Sequence, residues 1–232
     1  MLVNDSLVSV IIPVFNTDKY LGEAIESVLS QSYQSVEIII IDDGSTDASG
    51  VIAKGYERVD YYYQPHAGLA AALNRGVEEA CGNFLAFLDA DDLWAENKLV
   101  QQMAILVKSP GIDMVFGNYL EFISPELSEE DIDKFRVLTK PAPGYSKSTM
   151  VIRRESFFRV GLFDRCWRVG DFIDWFMRSR EIGLRNTLLP QVVCFRRLHK
   201  DNMGLREKDC YQDYARIIKN ALDRQRQSTY DG

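Results

Sequence analysis

Carboxylates are the residues best placed to do chemistry in this 232-residue chain, and they gather in three short segments. Asp42-Asp43 lead into Gly44-Ser45-Thr46-Asp47, Asp89-Ala90-Asp91-Asp92 follow the apolar run Phe84–Leu88, and Asp171 and Asp174 open an amphipathic stretch. Carboxylates crowded together repel unless a positive charge lies among them, and a divalent cation supplies that charge. Asp89 and Asp91 are two apart, so on an extended segment they project to the same side. That suits two oxygen ligands on one hard cation, Mg2+ or Mn2+, with coordination positions left for water and a diphosphate. Asp is also a favoured N-cap, and for Asp92 capping of a helix from Leu93 is an equal reading. Capping does not account for Asp89, which adjoins the apolar run. In the first segment Gly44 reads as a turn glycine and Ser45 or Thr46 as a helix cap, whereas Asp43, pointed into a crevice, can accept a hydrogen bond from a nucleobase. Gly68 to Gly76, with Asn74, opens a helix whose N-terminus can help hold phosphate.

These residues need elements to hold them. From Val8 the chain alternates β-rich runs with helical patterns: strands at Val8–Val14, Val36–Ile41, Val59–Tyr63, Phe84–Leu88 and Met114–Gly117, and helices at Tyr20–Leu29, Asp47–Tyr56, Leu69–Cys81 and Leu93–Val107. Continuous apolar strands between helices predict a mostly parallel, Rossmann-like sheet covered on both faces, in an α/β fold. In such sheets ligands bind beyond the carboxyl ends of the strands, where Pro13-Val14-Phe15-Asn16 and the first two acidic segments fall. The acidic stretch Asn118–Tyr145 interrupts the rhythm and reads as an insertion near the active face. A strand at Thr149–Ile152, helices near Arg154–Val160 and Phe172–Ile182, a strand at Val192–Arg196 and a helix from about Arg206 to Arg226 follow. With few strands of its own, this back portion is expected to extend the first sheet.

Thirty-four acidic against 27 basic residues give a net charge of −7, which argues against a nucleic-acid partner. The apolar runs fall short of the roughly 18 residues needed to span a bilayer, and Met1–Asp5 lacks the pattern of a secretion leader. Cys81, Cys166, Cys194 and Cys210 have no metal-site spacing and read as reduced thiols. A cytoplasmic protein is the expectation, with peripheral contact at the inner membrane face and a homodimer left open by the basic tail helix.

Taken together, Val10-Ile-Ile-Pro-Val-Phe-Asn16, Ser27-Val-Leu-Ser-Gln31, Ile41-Asp-Asp-Gly-Ser-Thr-Asp47, Gly68 to Gly76 and Phe87-Leu-Asp-Ala-Asp-Asp92 resemble glycosyltransferase family two. The resemblance implies the GT-A fold, here with a nucleotide-sugar half over 7–118, an acceptor and catalytic half over 119–203 and a C-terminal helix over 204–232. It places Pro13, Phe15, Asn16 and Asp43 around the nucleoside. Asp89, Ala90 and Asp91 match the Asp-x-Asp motif that holds the ribose and the metal-bridged diphosphate. Where the family often carries Ala-Arg-Asn, this chain has Ala72-Leu73-Asn74.

The back half is similar to the family more loosely. Ser148 to Glu155 resembles the segment that shapes the acceptor side. Arg196-Arg-Leu-His199-Lys-Asp-Asn202 resembles the segment that brings a His to the metal, with Arg197 and its neighbour able to clamp phosphate oxygens. Gly170-Asp171-Phe-Ile-Asp174 resembles the Glu-Asp motif of the catalytic base, yet in ungapped register Phe172 falls on the base position and only a one-residue shift puts Asp171 there. Asp171 and Asp174 are three apart on one helical face, so either can take the acceptor proton, and an N-cap is the third reading. Trp167 is assigned to stack on an acceptor sugar, Trp175 to the core, and His66 to a loop without function.

The expectation is a metal-dependent inverting transferase. It would move a sugar from a nucleotide-diphosphate donor, with UDP the first choice, to a glycan, lipid-linked, peptide or small-molecule hydroxyl. A sugar nucleotidyltransferase is the weaker rival, because Pro13–Asp18 lacks a glycine-rich basic loop. A non-catalytic sugar-nucleotide or glycan-binding module is the other, motivated by Leu73 and Phe172.

Overall fold

The computed structural model describes residues 6–133, 135, 137–202 and 211–230. Met1–Asp5, Arg206, Lys208 and Cys210, on which parts of the leader, tail-helix and thiol readings fall, lie outside them.

The elements run β1 (Val8–Val14), α1 (Asp18–Leu29), β2 (Val36–Asp42), α2 (Ser49–Lys54), β3 (Val59–Tyr63), α3 (Leu69–Glu79), β4 (Phe84–Phe87), β5 (Leu93–Trp94), α4 (Lys98–Lys108) and β6 (Met114–Ile123). They continue with α5 (Glu129–Ile132), β7 (Ala142–Gly144), a 3-10 turn (Lys147–Thr149), β8 (Val151–Arg153), α6 (Arg154–Val160), α7 (Asp171–Glu181), β9 (Asn186–Leu198) and α8 (Tyr211–Tyr230). Eight strands lie in the order β3-β2-β1-β4-β8-β6-β9-β5, and β7 pairs off the path with β6.

The strands β3, β2, β1 and β4 pair in parallel, with Val8 opposite Val36 and Phe84. Beyond β4 the sheet becomes mixed: β8 is antiparallel to β4 and β6, while β9 is parallel to β6. The back portion therefore continues the first sheet, as its short strands lead one to expect, but through antiparallel pairs that apolar runs alone do not distinguish.

Alternation along the strands sorts the core into two layers. Val10, Ile12, Ile38, Ile40 and Ala86 pack under α1, α2 and α4. Ile11, Ile39, Ile41, Leu85 and Phe87 pack under α3 and, further along, against Phe157, Phe172 and Trp175 of α6 and α7. Helices on both faces explain why these strands read as unbroken apolar runs. Gly76 lets α3 approach β1, since a Cβ there would lie 2.4 Å from Cγ2 of Ile11.

Two elements differ from the sequence reading. Leu93 and Trp94 form a short strand against Cys194 and Phe195, and the helix begins only at Lys98. Met114–Gly117 opens a longer strand that runs on to Ile123, and Val192–Arg196 lies in the second half of one that begins at Asn186, because the two pair with each other along their length.

Candidate active site

The loops after β1 and β2 are knitted together by their own side chains. Asn16, at φ 53°, accepts a hydrogen bond from the Thr46 amide at 2.8 Å, and its own amide donates to Ser45 Oγ at 3.0 Å. The Thr17 and Asp18 amides donate to Ser49 Oγ and Asp47 Oδ2, both at 3.0 Å. Asn16, Ser45 and Asp47 thus hold a joint platform. Hydrogen bonds from Ser49 and Asp18 keep the Asp47 carboxyl below its usual range despite its burial.

That platform bounds a cavity of about 500 Å3. Its lining includes Pro13, Phe15, Asp43, His66, Gly68, Asp89, Ala90, Asp91 and Asp92, and, from the back portion, Lys147, Arg165, Trp167, Arg168 and Arg196. His66, expected to be plain loop, stacks on Phe15 with ring centroids 4.2 Å apart and planes 24° from parallel. The two rings form one wall.

Asp43 is buried and fully engaged. Its Oδ1 accepts from Gln64 at 2.7 Å and from the Ala67 amide at 2.9 Å; its Oδ2 accepts from the Gly68 amide at 2.8 Å and lies 2.8 Å from His66 Nδ1. Its carboxylate thus occupies the two backbone N–H groups leading into α3, including that of Gly68, which was expected to face phosphate. Gly68 itself needs its φ of 93° to enter the helix. Asp42 turns away from the cavity to accept from Tyr61 OH at 2.7 Å and the Ser45 amide at 2.8 Å.

The Asp89–Asp92 segment is held from both sides. Ser148 Oγ donates to Asp89 Oδ2 at 3.1 Å, which makes Ser148 a buried support of that carboxylate and places it off the cavity lining. Burial, reinforced by Asp91 and Asp171, pushes Asp89 above the usual carboxylate range against Lys147 and Ser148. Asp92 Oδ1 accepts from the Arg197 amide at 2.9 Å, and burial beside Asp91 and Asp89 raises it further. Asp91 faces His199, with Nε2 and Oδ2 2.9 Å apart. The Asp201 amide donates to His199 Nδ1 at 3.3 Å, so the other ring nitrogen is the one turned to Asp91.

Among the described residues no three His, Cys, Asp or Glu side chains converge on one point. The predicted set Asp89, Asp91 and His199 therefore reduces to one close pair, Asp91 and His199, with Asp89 two residues away on the same lining.

Arg197 is placed elsewhere than expected. It is 2% exposed, donates to the Asp91 carbonyl at 2.9 Å and to Glu23 at 2.7 Å, and lies between the Tyr20 and Phe122 rings. It braces the acidic loop from behind, and Arg196 is the arginine at the cavity. Asn74 also faces inward, exchanging hydrogen bonds of 2.8 and 2.9 Å with the Phe163 backbone.

The two candidate bases separate clearly. Asp174 pairs with Arg178 at 2.8 Å and approaches Arg224 at 3.7 Å, while Arg178 also ties the Val160 and Leu162 carbonyls. It is a structural anchor between α7 and α8. Asp171, at the first turn of α7, lies 3.5 Å from Lys147 Nζ, and its buried Oδ2 has no hydrogen-bond partner among the described residues. Phe172 is in the core against Trp175 and Phe176, so the carboxylate next to the cavity-lining lysine is Asp171. Lys147 went unnoticed in the sequence because a lone lysine in a polar run carries no pattern. Burial works against its charge, but Asp171 and Asp89 hold the ammonium above its ordinary range.

Comparisons with other proteins point to one family. The family model described as Glycosyl transferase family 2 matches residues 9–166. The chain belongs to that family. An uncharacterized glycosyltransferase of Rickettsia typhi is 35% identical over 186 residues, covering 73% of this chain and 58% of that protein. The S. aureus TarS structure in complex with UDP superposes with a TM-score of 0.69 at 18% identity, over 84% of this chain and 61% of that one. The Pyrobaculum calidifontis mannosyltransferase PcManGT, in complex with GDP-Man and Mn2+, gives 0.69 at 22% identity, over 92% and 64%. The fold is that of these GT-A glycosyltransferases, and the chain spans about three fifths of the length of each of the three. Among the described residues no helix is long and apolar enough to cross a membrane.

Proposed function

We propose that this family 2 member transfers a sugar, with inversion, from a nucleotide-diphosphate sugar to an acceptor hydroxyl. The observation that carries the reading is one cavity lined by the Phe15–His66 wall, by Asp91, whose carboxylate pairs with His199, and by Lys147, which lies beside Asp171. Phe15 and His66 offer the flat surface on which a nucleobase stacks. UDP is the preferred nucleotide, supported by the TarS complex, with GDP the competitor that PcManGT suggests.

Asp91 Oδ2 and His199 Nε2 would hold Mn2+ or Mg2+ once the ring proton moves from Nε2 to Nδ1, and the cavity that Asp91 lines has room for diphosphate oxygens and water. A bound divalent ion there would neutralise charge on the departing diphosphate. The remaining work falls to the chain. Asp171 takes the proton of the attacking hydroxyl as its oxygen bonds to the anomeric carbon and the bond from that carbon to the diphosphate breaks. Lys147 Nζ, 3.5 Å away, holds the Asp171 carboxylate in place. Trp167, on the lining next to α7, offers the acceptor a flat apolar face.

The reading is tested by a thermal-shift panel of UDP-, GDP- and dTDP-sugars with and without Mn2+. A ligand that binds only the folded chain raises its melting temperature by mass action, by about 2.7 kcal/mol of stability at a hundredfold excess over Kd. A shift with one nucleotide that requires Mn2+ is the expected result. No shift with any of the nucleotides would overturn the reading.

A further inference from the structure

Three polar side chains sit in the core off the cavity lining: Lys98 is 1% exposed, Gln102 is fully buried, and the Trp94 indole carries its N–H into the same layer. All three converge on two consecutive carbonyls. Trp94 Nε1 donates to Ser148 O at 2.8 Å, Gln102 Nε2 donates to Thr149 O at 2.8 Å, and Lys98 Nζ donates to the same Thr149 O at 3.2 Å. Lys98 also donates to Gln102 Oε1 and lies over the Trp94 ring, 4.6 Å from its centroid, so the three brace one another. Gln102 is anchored in turn on the Val115 carbonyl of β6 at 2.8 Å.

Taking an amino group and an amide out of water is costly, and for stability alone apolar side chains of the same shape often serve as well. What a satisfied buried network adds is a single place for the backbone it grips. The gripped backbone here is the turn Lys147–Thr149. From it Lys147 Nζ reaches to 3.5 Å from Asp171, and Ser148 Oγ donates to Asp89 Oδ2 at 3.1 Å. The gripping side chains lie on the continuation of the acidic loop, since Asp89–Asp92 run into Trp94 of β5 and then into α4. Residues 89–102 therefore carry donor-side carboxylates at their start and hold the base side at their end. We propose that Trp94, Lys98 and Gln102 are positioning residues for the transfer, setting the turn so that Lys147 meets Asp171 while Ser148 meets Asp89. This rests on the reading of Asp171 as the base in the function proposed above. A displacement of about 1 Å at a reacting group costs about a hundredfold in rate, so side chains that never touch substrate have leverage on it.

The test follows the turn and the turnover separately. Trp94→Phe removes the indole N–H and keeps a ring under Lys98, and Lys98→Met removes the amino group and keeps its stem. Leu106→Ala, in the core layer under the same helix, is the control that destabilises α4 without touching the turn. Acetylation of Lys147 by acetic anhydride, measured by mass spectrometry against the exposed Lys19, reports whether Lys147 is still held beside Asp171. Its rate is expected to rise about fivefold or more in both variants and to stay unchanged in the control. In the turnover of UDP-glucose or UDP-N-acetylglucosamine with Mn2+, water standing in for the acceptor, kcat is expected to fall about tenfold while the Kd for UDP stays within about twofold. Unchanged Lys147 labelling in both variants, an equal rise in Leu106→Ala, an undiminished kcat, or a loss confined to UDP affinity would each overturn the inference. Faster Lys147 labelling in variants of a chain that binds no UDP would instead refute the donor reading and leave this one standing.

Discussion

At the scale of single residues, two aspartates on one helix have been given different work by their neighbours. Asp174 is 3% exposed between two arginines, and removing one partner of a buried ion pair strands the others. Asp174→Ala is expected to cost about 3 kcal/mol of stability, read as a lower urea midpoint. Asp171→Asn keeps the shape and removes the proton acceptor. Its melting temperature should change little while transfer falls about a hundredfold or more, as loss of a general base does. If instead Asp174→Asn abolishes transfer with stability intact, the assignment is reversed. On the donor wall, Phe15 is 37% exposed, so Phe15→Ala removes a stacking surface without opening the core. The UDP dissociation constant should rise about tenfold, in line with 1–3 kcal/mol per stacked base, with the fold unchanged.

At the scale of elements, the turn that carries Lys147 and Ser148 is fixed by β5 and α4. Trp94 Nε1 donates to the Ser148 carbonyl at 2.8 Å, and Gln102 Nε2 donates to the Thr149 carbonyl at 2.8 Å. Lys98 completes this contact from α4, its Nζ donating to Thr149 O at 3.2 Å above the Trp94 ring, where burial pulls its pKa down to about 7. The folded chain therefore releases this proton near pH 7, whereas the unfolded chain keeps it to about 10.5. Between those values the unfolded state binds more protons, so the lysine's contribution raises stability with rising pH. Lys98→Met should flatten that part of the profile, measured as melting temperature from pH 7 to 10. The expectation of a helix from Leu93 failed at this scale: Leu93 and Trp94 have helix-compatible spacing, but pairing with Cys194 and Phe195 draws them into the sheet. A partner a hundred residues away leaves no trace in a local pattern.

At the scale of the molecule, the acidity resolves into groups with opposite pH behaviour. Asp89 and Asp92 are raised mainly by burial and then by neighbouring carboxylates, so folding disfavours their charged forms. Their contribution to stability is complete below the unfolded value near 3.8 and is lost as pH climbs through the folded values. Glu126 behaves oppositely: against burial, Ser124 and Tyr20 hold it down to about 2, and its contribution disappears only in strong acid, between about 4.5 and 2. Without divalent ions the chain should therefore melt higher at pH 5.5 than at 7.5. Mn2+ with UDP should raise the melting temperature more at pH 7.5, where these carboxylates are more often charged. Equal shifts at both values would disconnect them from the cation.

The residue patterns alone were enough to establish the family, the α/β alternation, the strand end at Val14 and those of β2 and β4 to within one residue, and the segments that reach the cavity, because period, turn residues and motif order are local properties. They did not separate Asp171 from Asp174, or Arg196 from Arg197, since adjacent or same-face residues differ only in what the rest of the chain brings against them. They also missed His66 and Lys147, which acquire a place from Phe15, Asp43 and Asp171, residues distant in sequence. Burial and charge pairing between segments decided those roles, and both exist only once the nine strands have assembled into one sheet.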